Sequence, residues 1–583
     1  MRQFRLEHEY RQHLARGMFD LSASAPASLS AAEVLDVAGA SCATLLDAPL
    51  DYERGGGSAE LRAAVASLYG GIDADNVLIT AGASEAIRVV ATAVLRTGDT
   101  AVVQQPCYAA LRDTPGGLGA RIVAWRPRTG FQFDFGLLDE EATGATAIFY
   151  NNPHGPSGSI ASGSYAGHAR LVADEVYRPI ALVPAHTTAS VLDRGDGSVS
   201  IGDLSKPLGL GGLRIGWIAT RDRALLADCA RVLDYQSGSV ATLSARIALA
   251  ALLRFDELLA RQLTTARANL SLLAAFVEEH DAWVDWTPPQ AGYTAFLRVR
   301  AGAPPQSLFA ALRARGVFAL DGAVFDAPDH IRIGFGLETV AFSGALATFG
   351  EVIRTHVAPM RACEPDGDVI VIAKAPWPGV AKTRLAMGVG PERAAALSAA
   401  FLRDTMAFAR RRGERLYVSY APHDASGTFR SLAPDAELIA QPDGDLGARL
   451  LHAFAGAIAS GARRPVLIGA DSPSLPAHLL TSAQRALATH DVVLGPADDG
   501  GYYLIGMNAP QPSLFSGVDW SSDTVLAQTL ERARTAGLRV FMLPYWYDID
   551  TVRDHDRLAC EPLVRSETRR ALALGAPAEA AAL

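Results

Sequence analysis

Cysteine is scarce in this chain, with five occurrences among 583 residues. The five are far apart, and no Cys-x-x-Cys pair is present. An odd number of scattered cysteines predicts neither a disulfide framework nor a zinc site. We therefore expect a protein of the reducing cytoplasm.

Long apolar runs and basic clusters are also missing. No uncharged apolar run of about 18 residues occurs, so we expect no membrane span. The first residues, Met-Arg-Gln-Phe-Arg, lead into a charged segment and predict no signal peptide. The net charge is −9 without a basic run, which disfavours nucleic acid as a partner. Hydrophobic residues make up 49% and charged residues 20% of the chain, as in ordinary globular enzymes.

Two stretches alternate short apolar runs with helical patterns, at residues 77–218 and 369–543. This alternation predicts two α/β domains, the first of which has a mostly parallel sheet. Sheets of this kind bind ligands at the carboxyl ends of their strands. Residues 222–275 are rich in alanine and leucine and predict long helices. Residues 290–355 predict a smaller α+β unit that completes the first domain.

The same patterns give the domain boundaries. We assign residues 1–358 to the first domain and residues 368–560 to the second. Residues 359–367 contain two prolines and no periodicity, which indicates a linker. The Ala/Arg-rich residues 561–583 predict a terminal helix that frays into a tail.

The stretch around Lys206 has the strongest chemical signal of the first domain. A lysine in a Gly-rich turn of small residues can be partly desolvated, which lowers its pKa and leaves a neutral amine able to form a Schiff base. Arg214, eight residues later, offers a planar, permanently charged fork for a phosphate. This combination is what pyridoxal 5′-phosphate (PLP) requires, and two solvated surface charges are the alternative.

Three further segments of this domain follow predicted strands. Ala83 and Ser84 lie between a strand and a helix, where backbone N–H groups and a hydroxyl can cradle a phosphate. Tyr108 could stack on a flat cofactor or be a core residue. Asp174 could pair with a protonated pyridine nitrogen or cap a helix, and the nearby Tyr177 could donate to a phenolic oxygen.

In this order the residues resemble fold-type I PLP enzymes of the class I and II aminotransferase superfamily, over about residues 30–355. The resemblance implies that Lys206 forms the Schiff base, that Asp174 binds the pyridine nitrogen and that Tyr177 binds the phenolic oxygen. It also implies that Tyr108 stacks on the ring. The implied phosphate ligands are Ala83, Ser84, Ser205 and Arg214.

Two more residues have roles through the resemblance. Tyr52 matches the tyrosine that reaches the phosphate of the neighbouring subunit's cofactor, which implies a homodimer through this domain. Arg332 matches the arginine that clamps the substrate α-carboxylate with two hydrogen bonds. A surface salt bridge is the alternative for Arg332.

The sequence departs from the family pattern at two places. The family segment Asn-Pro-x-Asn-Pro-Thr-Gly appears as Asn-Pro-His-Gly-Pro-Ser-Gly at residues 152–158. Gly155 therefore stands where an asparagine normally bonds the cofactor's phenolic oxygen, so this bond is missing or comes from another group such as His154. The connection from Gly158 to Asp174 is also shorter than the family usually has.

Within the superfamily the sequence looks like histidinol-phosphate aminotransferase, threonine-phosphate decarboxylase and capreomycidine synthase. Two of these act on amino acids that bear a phosphate. The residues leave the reaction open: transamination breaks the Cα–H bond with Lys206 as proton shuttle, whereas decarboxylation breaks the bond from Cα to the carboxylate.

Basic residues of the second domain follow its first predicted strand. Lys374, Lys382 and Arg384 lie in a Gly/Pro-containing loop that can wrap a triphosphate. The Walker pattern is absent from this loop.

Carboxylates of the second domain lie at predicted strand ends and turns. Asp471 is suited to Mg²⁺ bound together with substrate phosphates. Asp548 and Asp550 lie on one face of an extended segment and could supply further metal ligands. A turn or capping role is the alternative for each residue taken alone.

As a set these motifs resemble the GT-A-like nucleotidyltransferases and glycosyltransferases, near phospholactate guanylyltransferase and MobA. The motifs are residues 381–385, 444–447, 469–471, 495–503 and 548–550. The resemblance implies attack of an acceptor oxyanion on the α-phosphate of a nucleoside triphosphate (NTP). Sugar transfer from a nucleotide sugar is the alternative.

The resemblance also implies roles in this second site. Lys382 and Arg384 would stabilise the developing charge. Asp471 and Asp550 would bind Mg²⁺. Lys374 would contact the substrate.

The fused architecture resembles the bifunctional enzymes of fosmidomycin-type phosphonate antibiotic pathways. That resemblance implies transfer of CMP from CTP to 2-amino-4-phosphonobutyrate, and PLP-dependent decarboxylation to the CMP ester of 3-aminopropylphosphonate. One alternative is an aminotransferase fused to a nucleotidyltransferase or glycosyltransferase that acts on a phosphorylated small molecule. Another is a non-catalytic sensor or scaffold, although no helix-turn-helix signal is present.

Overall fold

The computed structural model of this chain describes residues 3–47, 49–53, 56–127, 129–138, 142–183, 186–359, 367–412, 415–520, 522–559 and 564–573. They form two compact units, Met1–Met360 and Arg361–Leu583. Most of the predicted linker, residues 360–366, lies outside the described residues, as do residues 561–563 and 574–583 of the predicted tail. No helix within the described ranges is long and apolar enough to cross a membrane.

A seven-stranded sheet forms the centre of the first unit. Its spatial order is Val77–Thr80, Gly216–Thr220, Val199–Asp203, Arg170–Asp174, Ala147–Asn151, Thr100–Gln104 and Arg121–Trp125. Within this sheet Gly216–Thr220 runs antiparallel to both neighbours, and the remaining pairs are parallel. The predicted α/β fold with a mostly parallel sheet is confirmed.

Helices cover the sheet, and four of its inner strands are buried along their whole length. The α-helices that lie within the described residues of this unit are Arg5–His13, Ala31–Ala38, Cys42–Leu46, Ala59–Ala66, Ala83–Val94, Ala109–Gly117, Ser205–Leu208, Arg223–Asp234, Thr242–Leu252, Phe255–Glu279, Gln306–Ala314 and Thr339–His356. The 25-residue helix Phe255–Glu279 confirms the long helix predicted from the Ala/Leu-rich stretch. Between Gly158 and Arg170, a segment described without a gap, there is no helix.

The α+β subdomain of the first unit has a four-stranded antiparallel sheet. Its order is Leu320–Asp321, His330–Gly334, Thr294–Val299 and Val284–Asp285. The N-terminal segment runs along this subdomain, because strand Phe19–Asp20 pairs in parallel with Val317–Phe318. The carbonyl of Leu21 then accepts the N–H of Gly334 at 2.8 Å. A few residues further along the chain, the hydroxyl of Ser24 lies 2.8 Å from Nζ of Lys206, close after the end of a strand of the large sheet.

The second unit contains another seven-stranded sheet. Its order is Glu437–Ala440, Leu416–Ala421, Val369–Lys374, Val466–Gly469, Tyr502–Met507, Val492–Pro496 and Val540–Met542. In this sheet Tyr502–Met507 is antiparallel to both neighbours. The sequence did not predict Glu437–Ala440, which is an edge strand.

Helices of the second unit pack on both faces of its sheet. They are Thr383–Val389, Pro391–Arg412, Ser426–Leu432, Leu446–Ala459, Ala477–Ala486, Pro512–Phe515, Val525–Thr535, Val552–Ala559 and Ser566–Ala573. Ser566–Ala573 falls in the predicted tail and packs against Pro391–Arg412. The buried carboxylate of Asp404 accepts the N–H of Thr568 at 2.7 Å, so this helix is fastened to the unit.

Candidate active sites

Lys206 lies in the first turn of the short helix Ser205–Leu208, directly after strand Val199–Asp203. It is half-buried, and its Nζ donates to Ser24 Oγ at 2.8 Å. Burial disfavours the ammonium, but the nearby oxygens of Tyr177 and Asp203 outweigh burial and raise the pKa of Lys206. The prediction of a lowered lysine pKa is therefore wrong for this structure, because the fold surrounds the amine with acidic and hydroxyl groups.

Asp174 ends the neighbouring parallel strand and is 4% exposed. Burial raises its pKa to about 7. Its carboxylate accepts the N–H of Val176 at 3.3 Å, and it has no ion-pair partner in the part of the chain that the structure describes. A buried carboxylate of this kind is suited to a cationic N–H such as that of a pyridinium.

The N-terminus of helix Ala83–Val94 forms an anion cradle together with Arg214. Arg214 donates to the carbonyl of Ala81 at 3.0 Å. A Cβ on Gly82 would lie 2.4 Å from Arg214 Nη2, and a Cβ on Gly216 would lie 2.7 Å from the nitrogen of Ala83. Both glycines are therefore needed for the close approach of guanidinium, strand and helix end, where N–H groups favour a phosphate.

Ser84 and Tyr108 lie at the mouth of this cradle. The Ser84 hydroxyl is 3.1 Å from the Tyr108 hydroxyl, and the charges of Lys206 and Asp174 act on the pKa of Tyr108, which burial raises. Ser205 is half-buried and donates its N–H to Asp203 at 3.0 Å. The structure thus brings the predicted ring-stacking residue beside the phosphate cradle and the lysine.

Tyr177 and Tyr52 differ in their surroundings. Tyr177 is buried, and its hydroxyl donates to the carbonyl of Ser24 at 3.3 Å. Ser24 therefore contacts both Tyr177 and Lys206. Tyr52 is 79% exposed and is not brought to the site within this chain.

Arg332 is 4% exposed, which contradicts the alternative of a surface salt bridge. Its Nη2 donates to the Tyr10 hydroxyl at 2.6 Å, and its guanidinium lies 5.3 Å from the ring centre of Phe325. Its Nε is buried and has no hydrogen-bond partner among the residues that the structure describes. The charge of Arg332 also acts on Lys206. A buried guanidinium with a free donor is suited to a substrate carboxylate.

Gly155 and His154 are the departures from the family pattern. A Cβ on Gly155 would lie 3.0 Å from Tyr177 Cε2 and 3.1 Å from Asn151 Oδ1, so the space of the usual asparagine is occupied. His154 cannot replace that asparagine, because its ring nitrogens bond Ser157 and the Pro106 carbonyl, each at 2.7 Å. Burial lowers the pKa of His154 to about 4 and keeps the ring neutral.

Sequence reasoning missed four residues around this lysine. They are Tyr10, Ser24, Glu175 and Asp203. Asp203 is buried and accepts the N–H of Lys206 at 3.3 Å; its position three residues before the lysine could have revealed it. Glu175 is buried behind Asp174 and accepts from Ser200 and Ser190. No local pattern indicates Tyr10 or Ser24.

The residues of the first unit fit PLP. The observations are the buried carboxylate of Asp174, which has no ion-pair partner among the described residues, the glycine-lined cradle at Arg214, and Lys206, whose charge acts on Asp174. The cradle would hold the phosphate, Asp174 would hold the ring nitrogen, and Lys206 would bind the aldehyde carbon.

In the second unit, Lys382 lies between two of the predicted metal ligands. Its side chain is 9% exposed, and its Nζ is 3.1 Å from Asp471 Oδ2 and 2.9 Å from Asp550 Oδ1. Arg384 Nη1 is 3.6 Å from the other oxygen of Asp550. We predicted contacts of these two cations with phosphate, whereas in this structure they neutralise carboxylates.

Asp548 completes an acidic cluster with Asp471 and Asp550. One oxygen of each residue lies within 4.8 Å of the others. Burial and the charges of Asp471 and Asp550 raise the pKa of Asp548 to about 7. Burial acts against the Asp550 carboxylate, but Lys382 outweighs it and lowers the pKa of Asp550.

Backbone contacts fix the position of this cluster. The N–H of Ile549 donates to the carbonyl of Asp471 at 2.9 Å, joining two separate loops. A Cβ on Gly469 would lie 2.3 Å from Asp471 Oδ1. Three carboxylates at this spacing are hard oxygen ligands that fit Mg²⁺.

The remaining predicted segments of this unit have mixed roles. Lys374 is exposed at the end of strand Val369–Lys374. Asp498 pairs with Arg557 at 2.7 Å, and Asp499 contributes to the raised pKa of Asp548. Asp445 caps helix Leu446–Ala459 by accepting the N–H of Ala448 at 2.8 Å.

Comparison with protein families gives one match in each unit. Residues 18–346 match the family described as "Aminotransferase class I and II". Residues 405–522 match a family described as "Uncharacterized protein conserved in bacteria (DUF2064)".

Among characterised proteins, capreomycidine synthase of Streptomyces vinaceus is 31% identical over 323 residues, which cover 52% of this chain and 81% of that protein. Histidinol-phosphate aminotransferase of Symbiobacterium thermophilum is 30% identical over 290 residues, or 48% and 77% of the two chains. The solved structure of a PLP-dependent cyclase, OrfR, is 31% identical in sequence and superposes with a TM-score of 0.56. The match covers 60% of this chain and 96% of the OrfR chain. These similarities confirm the predicted resemblance of the first domain.

Proposed function

Because the chain belongs to the class I and II aminotransferases through residues 18–346, we propose that its first unit performs chemistry at Cα of an amino acid held by Arg332. The first unit is a PLP-dependent, aminotransferase-like enzyme. The observation that carries the proposal is Arg332, buried with an unpaired Nε and close enough to Lys206 for its charge to act on that amine.

The residues of the first unit divide the work. Bound PLP supplies a sink for the electron pair left at Cα. Asp174 holds the ring nitrogen, Arg332 holds the substrate α-carboxylate, and Tyr108 covers the ring. Lys206 Nζ takes the proton at Cα and returns it. The implied phosphate ligands are Ala83, Ser84, Ser205 and Arg214.

Arg332 also influences which bond breaks. The bond perpendicular to the cofactor ring is the one that is cleaved. Arg332 would hold the substrate carboxylate, and Lys206 would be the base that serves the Cα–H bond. Proton transfer at Cα, as in an aminotransferase, is therefore the reaction that we propose first for this unit.

Replacement of Lys206 tests the first site. We expect Lys206→Ala to lose the visible absorption of lysine-bound PLP and to lower turnover of any amino acid substrate at least about 10³-fold. Lys206→Arg keeps the charge and should lose both signals too. Arg223→Ala, which removes an exposed pair with Asp73, is the control. Retained absorption in both lysine variants would contradict the assignment.

For the second unit we propose nucleotidyl transfer from an NTP to a phosphate or phosphonate oxyanion. The supporting observation is the cluster of Asp471, Asp548 and Asp550 with Lys382 among them. Mg²⁺ held by the three carboxylates would neutralise triphosphate charge. Lys382 and Arg384, released from carboxylates by that ion, would be free to face the α-phosphate, and Lys374 the acceptor.

Pyrophosphate release from a panel of NTPs tests this second activity. With Mg²⁺ and 2-amino-4-phosphonobutyrate as acceptor, we expect release with CTP. Asp471→Asn and Lys382→Met should lower the rate about 10²-fold or more. Asp435→Asn, an exposed carboxylate paired with Arg410, should not. If no NTP gave pyrophosphate, the proposed activity would be refuted. If the protein released a nucleoside diphosphate from a nucleotide sugar, glycosyl transfer would be favoured.

A second candidate for the first unit is decarboxylation of the nucleotide-capped amino acid, giving CMP-3-aminopropylphosphonate. The cluster of Asp471, Asp548, Asp550 and Lys382 in the second unit favours this candidate. In the bifunctional enzymes that the sequence resembles, nucleotidyl transfer to an oxyanion accompanies decarboxylation of the same amino acid. Incubation with CTP, Mg²⁺, the aminophosphonate and a 2-oxo acid as amino acceptor separates the candidates. Release of CO₂ supports decarboxylation, and consumption of an amino acceptor supports transamination.

We further propose that the first unit works as a homodimer. Tyr52 is 79% exposed, as expected for a residue that completes a neighbouring subunit's phosphate site. Light scattering should give twice the chain mass. Tyr52→Phe should weaken PLP binding without changing the mass. A monomer that binds PLP normally would exclude this role.

A further inference from the structure

The N-terminal helix Arg5–His13 contributes Tyr10 to the proposed carboxylate site. The reaction proposed above assigns no role to this residue. The hydroxyl of Tyr10 accepts the N–H of Arg332 Nη2 at 2.6 Å and lies 3.2 Å from Ser22 Oγ. The Tyr10 ring packs against Phe318, with ring centres 5.4 Å apart. Tyr10 is therefore held by its hydroxyl and by its ring.

The helix itself is fastened to both parts of the first unit. Arg5 donates to the carbonyl of Ala323 at 2.8 Å and pairs with Asp326. Asp326 also pairs with Arg112, which lies on helix Ala109–Gly117 of the large α/β part. One carboxylate thus joins the N-terminal helix, the α+β subdomain and the large α/β part.

Aromatic contact supports the same placement. Phe4, directly before the helix, meets Tyr108 edge to face with ring centres 5.4 Å apart. Leu6 packs in a cluster with Phe296, Phe318 and Phe325. Phe325 is also the ring that lies beside the Arg332 guanidinium. The helix therefore contacts the cofactor-stacking residue at one end and the carboxylate clamp in its middle.

The hydrogen bond orients the guanidinium without using all its donors. Among the described residues, Tyr10 is the hydrogen-bond partner of Arg332, while Nε is buried and unpaired. A planar guanidinium gains affinity for carboxylate when its fork is held in one orientation. Because the Tyr10 hydroxyl is fixed by Ser22 and its ring by Phe318, it can hold that orientation before substrate arrives.

We propose that Tyr10 is a positioning residue that sets the preference of this site for amino acids with a free carboxylate. The inference rests on the proposed role of Arg332 as the carboxylate clamp. It assigns the N-terminal helix to substrate recognition, in addition to its packing role.

A matched pair of reagents tests the proposal on the holoenzyme. Aminooxyacetate and methoxyamine both react with lysine-bound PLP through an aminooxy nitrogen, and the carboxylate is present in the first alone. The second-order rate constants follow from the loss of visible absorption. We expect Tyr10→Phe to lower the ratio of the aminooxyacetate to the methoxyamine constant about tenfold, the effect of one hydrogen bond to a charged group. Tyr10→Phe should also reduce the unfolding-temperature gain from aminooxyacetate relative to methoxyamine.

Further variants separate the possible failures. Arg332→Gln should lower the ratio at least as much as Tyr10→Phe; an unchanged ratio in Arg332→Gln overturns the proposed clamp itself. A lowered ratio in Arg332→Gln with an unchanged or raised ratio in Tyr10→Phe overturns the role of Tyr10 alone. Asp326→Asn, which loosens the helix without touching Tyr10, should lower the ratio about threefold. Arg11→Ala, exposed on the same helix, should leave it unchanged.

Discussion

At the scale of single residues, Asp174 is a group whose protonation the fold alters clearly. It is buried beside Asp203 and Glu175, and burial is the main cause of its raised pKa. The folded carboxyl therefore keeps its proton to about pH 7, whereas the unfolded one loses it near its ordinary value. As pH rises between these two values the unfolded state ionises first, so the contribution of Asp174 to stability falls.

Asp174→Asn should remove this pH dependence from the cofactor-free protein. At pH 8 we expect the variant to have the higher free energy of unfolding, by up to about 4 kcal/mol for a shift of this size. At pH 3, below the ordinary pKa of an aspartate, the two proteins should be nearly equal, because the wild-type carboxyl is then neutral in both the folded and the unfolded state. Denaturant titrations at both pH values measure the difference. Parallel pH profiles would contradict the raised pKa.

Distance along the chain decides which residues around Lys206 could be predicted from the sequence. Lys206, Arg214 and Asp174 could be predicted, because each stands in a short motif next to a strand end. Tyr10 and Ser24 could not, because they reach Arg332 and Lys206 across 322 and 182 positions. The raised pKa of Lys206 was missed for a related reason: Tyr177, which contributes most to it, lies on another segment, although Asp203 is only three residues from the lysine.

At the scale of elements, the start of helix Ala83–Val94 depends on Gly82. This glycine has φ of +87° and lies against the guanidinium of Arg214. The sequence predicted a strand, a turn and a helix here. It could not predict that the turn must also admit an arginine from 132 positions later, since that contact follows from the antiparallel pairing of Val77–Thr80 with Gly216–Thr220.

Gly82→Ala should weaken PLP binding, because the added Cβ would lie 2.4 Å from Arg214 Nη2 and displace a phosphate ligand. We expect the dissociation constant to rise about tenfold or more, the effect of a lost charge-assisted hydrogen bond. Gly98→Ala is the matched control, with φ of +94° and nothing within 4 Å of the added atom. It should lower stability through backbone strain and keep the affinity. Equal losses of affinity in both variants would assign the effect to strain alone.

Strand Val199–Asp203 does not stand out as an apolar run in the sequence, because polar residues interrupt it. Val199–Asp203 contains Ser and Asp, yet it is buried at the centre of the sheet because those side chains meet Glu175 and the N–H groups of Ser205 and Lys206. Pattern reasoning counts such residues as surface positions. Burial of polar groups with satisfied hydrogen bonds is a tertiary effect that local periodicity does not contain.

At the scale of the whole molecule, each unit has a hydrophobic core of its own. The large apolar cluster of the first unit contains residues of that unit alone, and the second unit has separate clusters on the faces of its sheet. The α/β class of both could be predicted from alternation of strands and helices. The order of strands in each sheet could not, because it depends on crossover connections that leave no local signal.

Residues 1–360 and 361–583, produced separately, should each fold. We expect the first to bind PLP with the visible absorption of the full chain, and the second to release pyrophosphate if the proposed activity is correct. Absorption spectra and circular dichroism of the two pieces measure this. An unfolded first piece that recovers absorption when the second is added would show that the units depend on each other.

The chain has three lysines, Lys206, Lys374 and Lys382, and each belongs to a candidate site described above. An amine-selective reagent therefore meets three ε-amino groups of very different reactivity. Lys374 is exposed, Lys206 is half-buried, and Lys382 is 9% exposed between two carboxylates. Mass spectrometry can measure the order in which the three lysines are acylated. A change in that order when a ligand is added would indicate which candidate site the ligand occupies. For the same reason, coupling through lysine to a sensor surface would attach the protein by its own candidate sites.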